Sequence, residues 1–283
     1  PFVKWAGGKG FLLKQLEELL PAYFGYLDRL TYVEPFVGGG AVFFHVLSKY
    51  KNIKRVIIND INPDLIHCYR LIAKNPQALI DRLRDIEKNF YHYDVHDRKE
   101  IYYAYRDQFN LAGINSDERA ALFIFLNHTC FNGLYRVNNA GKFNVPYGQY
   151  KHPNIFNEEL IIEDHKLLRS VELIIMEGDY KDVEKRLATK YPNFIYFDPP
   201  YRPLSETSNF KEYSNSPFGD KQQEELKKFC DKVHEKGCLF MLSNSDSKNE
   251  KGESYFEDLY EGYDFQRIYA PRFINAFSEK RVK

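Results

Sequence analysis

The sequence lacks the features that mark several large classes of protein. Its 40 Lys and Arg residues balance its 40 Asp and Glu residues, and a net charge of zero is not typical of a nucleic-acid binder. No run approaches the roughly 18 apolar residues of a transmembrane helix. The four cysteines are scattered and form no C-x-x-C pair. We therefore expect a cytoplasmic protein with no zinc or other metal site and no membrane contact.

Two nucleotide-binding signatures are also incomplete. Gly7-Gly8-Lys9-Gly10 has no Ser or Thr after the lysine and no upstream glycine, so it is not a phosphate-binding P-loop. Glu34-Pro35-Phe36-Val37-Gly38-Gly39-Gly40 follows a predicted strand, but Phe43 stands where the dinucleotide fingerprint has its third glycine. Asp60 ends the next predicted strand, where an acid can bind ribose hydroxyls. The turn fits NAD, FAD or S-adenosylmethionine, with modest weight against a nicotinamide cofactor, and a tight turn without a ligand is the alternative.

The tetrapeptide Asp198-Pro199-Pro200-Tyr201 directly follows the apolar run 194–197. That run predicts a buried parallel strand, and ligands of open α/β sheets bind outside the carboxyl ends of the strands. A carboxylate and a proline carbonyl can each accept one N–H of a planar amino group, and a tyrosine ring offers a stacking face. The amino nitrogen can then present its lone pair to an electrophile. The alternative is a strand end followed by a proline-stiffened turn.

The pattern along the chain predicts strands and helices that alternate at both ends. Strands are expected at 32–36, 55–60, 171–176, 194–197, 238–242 and 265–270, and helices from about Ala41 and from about Lys221 to Lys236. Residues 64–162 instead have helical periodicity with many tyrosines and charges. The expected fold is a doubly wound, Rossmann-like α/β sheet (residues 1–63 and 163–283) with an inserted, mostly helical domain (residues 64–162).

Inside this insertion, residues 131–148 predict a β-hairpin, because Asn138-Asn139-Ala140-Gly141 lies between two short alternating runs. The segment contains Arg, Lys, Asn and aromatic residues but no acid. A two-stranded ribbon fits a DNA major groove, where Arg reads guanine and Asn reads adenine, and Phe131 and Leu134 could wedge between base pairs. The alternative is a polar surface hairpin in which Phe131 and Leu134 belong to the core.

Taken in order along the chain, these segments resemble the DNA adenine-N6 methyltransferases of the Dam and DpnM type. The resemblance covers nearly the whole chain and includes the spacing of the motifs. Its segments are Lys4-Trp5-Ala6-Gly7-Gly8-Lys9, Glu34–Gly40, Asn59-Asp60-Ile61-Asn62, the 131–148 hairpin, Gly178-Asp179, Asp198–Ser205 and Leu242-Ser243-Asn244. It implies that a monomer transfers a methyl group from S-adenosyl-L-methionine to adenine N6 in double-stranded DNA, at 5′-GATC-3′, after flipping the base out of the helix.

The resemblance also assigns roles to individual residues. The catalytic segment would be Asp198, Pro199, Pro200 and Tyr201. Asp198 and the Pro199 carbonyl would take the N6 hydrogens, and Tyr201 would stack on the base. The cofactor site would consist of Trp5, Lys9, Glu34, Phe36, Gly38, Gly40, Asp60, Asp179 and Asp198. The DNA would be contacted by Lys4, Phe131, Asn132, Leu134, Arg136, Asn138 and Pro146. Among these, Arg136 and Lys4 would each contact a guanine.

Two rival functions stay open on the sequence alone. One is an amino-methyltransferase that acts on RNA or on a protein amide, although the hairpin and the Asp-first form of the tetrapeptide favour DNA. The other is a DNA-binding relative without activity, and the intact Asp198, Tyr201 and Asp60 argue against it. His92 and His96 are expected to be solvated side chains and not metal ligands. Both a solitary enzyme and a member of a restriction-modification system fit this sequence.

Overall fold

The computed structural model describes residues 1–5, 7–202, 218–246 and 254–269, and within them one sheet of five parallel strands. The strands are β1 (Leu30–Glu34), β2 (Ile53–Asp60), β3 (Glu172–Glu177), β4 (Asn193–Phe197) and β5 (Leu239–Leu242). Their order across the sheet is β3-β2-β1-β4-β5. The chain builds outward from β1 to β3, returns beside β1 as β4 and continues to β5. This is the doubly wound arrangement that the sequence predicts.

Helices connect these strands. They are α1 (Leu13–Glu18), α2 (Ala41–Lys49), α3 (Pro63–Lys74), α4 (Pro76–His92), α5 (Arg98–Phe109), α6 (Ser116–Thr129), α7 (Glu158–Arg169), α8 (Asp220–Glu235) and α9 (Tyr255–Leu259). Short 3-10 turns occur at Phe24–Tyr26, Phe131–Gly133 and Tyr180–Arg186. The Asn62 side chain accepts the Leu65 N–H at 3.0 Å and Pro63 follows the cap, so α3 starts soon after β2 ends. Among the helices in the described ranges, none is long and apolar enough to cross a membrane.

The central strands β1 and β4 are buried along their whole length. Because side chains alternate between the faces of a strand, Tyr32 and Phe194 join one buried cluster while Val33 and Ile195 join another. The first cluster includes side chains of α2, α3 and α6, and the second includes side chains of α8. Helices thus cover both faces of the sheet, which explains why residues 194–197 of β4 form a continuous apolar run.

The sheet order reverses between β1 and β4, because β1 leads to β2 on one side and β4 leads to β5 on the other. In sheets of this type, ligands bind in the crevice outside the carboxyl ends of the strands at this switch point. Glu34 ends β1 and Asp198 directly follows β4, so both acids lie at this edge. Asp60, the last residue of β2, lies at the same edge.

Residues 64–162 are mostly helical, as their periodicity predicts. Within them, α6 is buried on nearly all sides from Ala120 to Leu126 and packs against α3, α4 and α5. The buried cluster on one face of the sheet continues into these helices without a break. The division of the chain into a catalytic part and an inserted domain stays a prediction from the sequence.

The 131–148 segment folds back on itself through isolated antiparallel bridges. These bridges join Val137 to Phe143 and Cys130 to Tyr147. At the tip, the Asn138 side chain accepts hydrogen bonds from the N–H groups of Ala140 and Lys142, both at 3.0 Å. A polar side chain that bonds its own turn is typical of asparagine. The two arms of the segment thus pair through isolated bridges and do not form a continuous two-stranded ladder.

The predicted strands at 32–36, 55–60, 171–176, 194–197 and 238–242 agree with the observed ones to within about two residues at each end. The predicted strand at 265–270 is wrong for residues 265–269, which form no strand and are mostly exposed. Alternating residue types predicted that strand, but a strand also needs a hydrogen-bonding neighbour. Ala270, Ala6 and the end of the catalytic motif at 203–205 lie outside the described residues.

Candidate active site

The Lys9 ammonium lies on the carboxylate of Asp198. Its nitrogen is 2.6 Å from each carboxylate oxygen and 2.7 Å from the carbonyl oxygen of Gly7. The Lys9 side chain is 5% exposed and that of Asp198 is 21% exposed. Burial raises the pKa of the Asp198 carboxyl, whereas the Lys9 charge and hydrogen bonds from Lys9 and Tyr201 oppose the rise. Lys9, near the start of the chain, thus forms an ion pair with Asp198, the residue that follows β4.

Tyr201 covers the other side of this ion pair. The Lys9 nitrogen is 4.6 Å from the centre of the Tyr201 ring, which is the distance of a cation–π contact. Burial raises the pKa of Tyr201, and the neighbouring Asp198 carboxylate adds to the rise. The Asp198 carboxylate and the face of the Tyr201 ring therefore meet at one point, the Lys9 ammonium.

The proline turn is held by Gln223 of α8, a fully buried side chain. The Gln223 amide group donates to the carbonyl oxygen of Pro200 at 3.2 Å, and its oxygen accepts from Asn244 at 3.1 Å. A buried amide that is bonded at both ends fixes the backbone it touches. The sequence analysis did not predict Gln223. The sequence does contain a signal for this residue. Gln223 is a polar residue at a position that belongs to the buried apolar face of α8, in line with Leu226 and Phe229.

Glu34 is a second buried acid at this edge of the sheet, with 2% of its surface exposed. The Tyr32 hydroxyl donates to it at 2.6 Å. Burial raises the pKa of Glu34 well above its usual range, and the nearby charge of Asp198 adds to the rise. Glu34 therefore lies buried beneath the pocket, and its place in the cofactor site stays a prediction from the sequence.

The glycine turn after β1 is hydrogen-bonded to Asp60. The Gly38 N–H donates to one carboxylate oxygen at 3.0 Å and the Asn62 N–H donates to the other at 2.9 Å. Burial raises the pKa of Asp60, and these backbone N–H groups oppose the rise. Each carboxylate oxygen has a second lone pair that a ligand hydroxyl can use. Asp60 therefore shapes the turn and keeps acceptor capacity for a ligand hydroxyl.

Trp5 packs directly on this turn. Gly38 has a φ of +49°, and a Cβ built on it would lie 2.7 Å from Cδ1 of the Trp5 ring, so only glycine fits there. The other side of the indole faces Tyr135, with ring centroids 6.1 Å apart and planes at 26°. The N-terminal segment, the glycine turn and the hairpin region meet at Trp5.

Phe36 and Asp179 lie at the ends of β1 and β3. Phe36 stacks on Tyr180 with centroids 5.0 Å apart. Asp179 is exposed and caps the 3-10 turn that follows it. Asn59 links the two segments, because its side-chain amide donates to the carbonyl oxygens of Pro35 and Gly178, each at 3.0 Å. Acids and an aromatic face along one edge suit a ligand with hydroxyl groups and a flat ring.

Lys4 lies beside the hairpin region, far from it in sequence. A Cβ built on Gly133 would be 2.8 Å from the Lys4 side chain, and Gly133 has a φ of +64°. Asn127 fixes the Lys4 backbone by accepting its N–H at 2.7 Å and donating to its carbonyl at 2.8 Å. The Lys4 ammonium donates to the His128 carbonyl at 3.3 Å and lies 5.0 Å from the centre of the Tyr150 ring. The first residues of the chain are therefore part of the same surface as the hairpin.

The hairpin presents several of its predicted contact residues to solvent. Phe131 is 47% exposed and Pro146 is exposed, so Phe131 is not a core residue. Leu134 is half-buried and packs against the core. The Arg136 side chain donates from Nε to the amide oxygen of Asn144 at 2.8 Å. Asn144, which the sequence analysis did not single out, orients the guanidinium group from the opposite arm.

The predicted site residues fall into three groups. They are the pocket (Lys9, Asp198, Pro199, Pro200, Tyr201, with Glu34 beneath it), the turn (Trp5, Phe36, Gly38, Asp60, Asp179) and the hairpin surface (Lys4, Phe131, Asn132, Leu134, Arg136, Pro146). Gly40 and Asn138 have local explanations: a Cβ on Gly40 would collide with the Tyr69 hydroxyl, and Asn138 closes the hairpin turn. Over the residues that the structure describes, no three His, Cys, Asp or Glu side chains form a metal-ligand group.

Comparisons with known proteins identify the family of the chain. A family described as D12 class N6 adenine-specific DNA methyltransferase matches residues 5–272. The Type II methyltransferase M.MjaIII of Methanocaldococcus jannaschii is 45% identical over 283 residues, covering 99% of this chain and 94% of that protein. The DNA adenine methylase of Haemophilus influenzae is 36% identical (100% of this chain, 90% of that protein), and that of Escherichia coli strain K12 is 34% identical (87% and 81%). This chain therefore belongs to the D12 class of N6 adenine-specific DNA methyltransferases.

Proposed function

We propose that this enzyme methylates adenine N6 in 5′-GATC-3′ duplexes with S-adenosyl-L-methionine, and that the target base is flipped into the pocket of Asp198, Pro199 and Tyr201. The observation that carries the proposal is the meeting of the Asp198 carboxylate and the Tyr201 ring at the switch point of the sheet. A duplex hides the amino edge of adenine from a pocket of this kind, so the base must leave the stack.

The pocket favours the reaction by positioning the amino group. The Asp198 carboxylate and the Pro199 carbonyl are acceptors for the two N6 hydrogens, and the Tyr201 ring holds the plane of the base. With both hydrogens engaged, the nitrogen lone pair is directed out of this plane, where it would form the new N–C bond as the bond between the methyl group and the cofactor sulfur breaks and a neutral thioether leaves. The extra N6 proton would then pass through the Asp198 carboxylate, to which it is hydrogen-bonded, to water. This is catalysis by orientation, without a strong base.

The donor set at the ends of β1, β2 and β3 fits S-adenosyl-L-methionine. When bound, this cofactor supplies an electrophilic methyl group on a positively charged sulfur. The Asp60 carboxylate at this edge offers acceptors for ribose hydroxyls and disfavours the phosphates of a dinucleotide. Asp60 would hold the ribose, and Phe36 would pack along the cofactor. Trp5, Gly38 and Asp179 would complete the enclosure.

The hairpin surface supports sequence-specific contact with DNA. Asn144 holds one edge of the Arg136 guanidinium, which fixes the plane of a group whose fork matches guanine O6 and N7. Lys4 packs on Gly133, so its ammonium belongs to the same surface. The exposed ring of Phe131 is an apolar group that can enter the base stack. We assign Arg136 and Lys4 to the guanines of the site, and Asn132, Leu134 and Pro146 to its central base pairs.

We also propose that the enzyme works in the cytoplasm. All four cysteines are buried and none is in a disulfide. Thiols in this state suit a reducing compartment, which is also where the DNA of a bacterial or archaeal cell lies.

Methyl transfer from labelled cofactor to a panel of duplexes tests the proposal. A GATC duplex should accept label as N6-methyladenine, duplexes with one substituted base pair should accept far less, and a duplex already methylated on both strands should accept none. 2-Aminopurine at the target position should become more fluorescent when the protein binds. Asp198→Asn is the control for catalysis. Equal labelling of every sequence would refute the assignment of the site, and an unchanged fluorescence would refute base flipping.

A further inference from the structure

The Lys9 ammonium occupies the Asp198 carboxylate and the Tyr201 ring face, which the proposed function gives to the target base. Its three N–H groups are used by both oxygens of Asp198 at 2.6 Å and by the Gly7 carbonyl at 2.7 Å. It lies 4.6 Å over the Tyr201 ring. A stacked base needs the same space, because stacked rings have centroids about 4.5–7 Å apart. Lys9 and a flipped adenine therefore cannot hold these positions together.

The environment of Lys9 is built for this cation. A charge removed from water is costly unless it is paired and its remaining donors are satisfied. The Lys9 side chain is 5% exposed, and Asp198 and Gly7 satisfy its donors. The contact with Gly7 is independent of Asp198, and a lysine stem is flexible enough to keep one contact while it gives up another.

We propose that Lys9 is the resident occupant of the base pocket: its ammonium holds Asp198 as an aligned anion until the amino group of a flipped adenine replaces it. Lys9 then withdraws from the Tyr201 face and keeps its contact with Gly7. The inference rests on the proposed function, since it takes the Asp198–Tyr201 pocket as the place that receives the base. Lys9 is a positioning residue that acts through Asp198.

The pocket has a physical need for such an occupant. Burial raises the pKa of Asp198, and the charge of Asp198 is felt by the buried Glu34 and Tyr196 nearby. The Lys9 charge and the hydrogen bond from Tyr201 oppose the rise. A protonated Asp198 would present an O–H donor to an amino group that also donates. Without Lys9 the pKa of Asp198 is higher, so the anion is lost as pH falls through that raised pKa, whereas the wild type keeps it to lower pH.

The experiment measures base extrusion and methyl transfer separately. Fluorescence of 2-aminopurine at the target position reports extrusion, and single-turnover transfer to a GATC duplex from about pH 4.5 to about pH 9 reports the chemistry. Lys9→Met removes the charge with a side chain of similar length, and Lys9→Arg retains it. Lys14→Met is the matched control, because it makes the same change at an exposed lysine of α1.

We expect Lys9→Met to increase the extrusion equilibrium about tenfold, since the base no longer displaces a charge-assisted hydrogen bond. Its transfer rate should fall about tenfold for each pH unit below the raised pKa of Asp198. Lys9→Arg and Lys14→Met should keep the wild-type pH profile. If Lys9→Met does not melt cooperatively, Lys9→Gln, which keeps N–H donors without a charge, is measured in the same way.

Wild-type extrusion and a wild-type pH profile in the uncharged Lys9 variant would overturn the inference. This outcome differs from a failure of the proposed function. In that case the wild type would neither extrude 2-aminopurine nor methylate N6 of the GATC duplex, and the inference would fall with it.

Discussion

Replacement of Gly38 with alanine tests the contact between the glycine turn and Trp5. A Cβ at Gly38 would lie 2.7 Å from Cδ1 and 2.9 Å from Nε1 of the indole ring. Alanine at the positive φ of this residue costs about 1–2 kcal/mol. The methyl group also displaces the indole, and loss of its aromatic pair with Tyr135 adds about 0.5–1.5 kcal/mol. We expect Gly38→Ala to lower the free energy of unfolding by about 1.5–3.5 kcal/mol.

The chain offers a matched control for the backbone cost. Gly113 has a φ of +76°, and nothing lies within 4 Å of a Cβ built there. Gly113→Ala should therefore lose only the backbone contribution, about 1–2 kcal/mol. The difference between the two variants in urea unfolding isolates the contact with Trp5.

Fluorescence measures the displacement itself, because Trp5 is the only tryptophan in the sequence. Its emission should shift to longer wavelength in Gly38→Ala, as the ring moves toward water, and should not shift in Gly113→Ala. Calorimetry should show weaker S-adenosyl-L-methionine binding in the first variant alone. If the two variants lose the same free energy of unfolding and the Trp5 emission is unchanged, the packing argument at this turn is wrong.

Three further predictions concern the proposed site. Asp198→Ala should abolish methyl transfer and leave cofactor affinity largely in place, and near wild-type turnover with labelled cofactor would contradict the pocket. Asp60→Ala should weaken cofactor binding by about 1.5–3 kcal/mol, the value of a hydrogen bond to a charged group. It should also destabilise the fold, since Gly38 and Asn62 lose their acceptor; an unchanged Kd in calorimetry would move the cofactor site elsewhere. Arg136→Ala should lose about 1–3 kcal/mol of discrimination at one base pair, and Arg136→Lys should restore the charge without the two-pronged reading. In assays on duplexes with single substituted base pairs, a uniform loss across the panel would make Arg136 a phosphate anchor.

Local patterns in the sequence were sufficient for most of the sheet. The apolar run 194–197 predicted β4, and the run 55–60, with Val56-Ile57-Ile58 at its centre, predicted β2. Strands that are buried on both faces are rich in consecutive apolar residues. Gly237 marked the end of α8, and its φ of +80° explains why glycine stands there. The error at 265–269 has the same origin as these successes. Residue pattern reports which side chains suit a strand, and it carries no information on whether a neighbouring strand is present to pair with it.

The sequence also predicted that the glycine turn and the tetrapeptide each follow a strand, which the structure confirms, because each is a short local motif. It did not show which side chains meet. Lys9 binds Asp198, which is 189 residues away along the chain. Gln223 of α8 binds Pro200, which is 23 residues away. Trp5 comes between Gly38 and Tyr135 in the same way. These contacts depend on the order of the strands and on the crossing of helices over the sheet. Such long-range geometry is set by packing of the whole core, and spacing along the chain does not encode it.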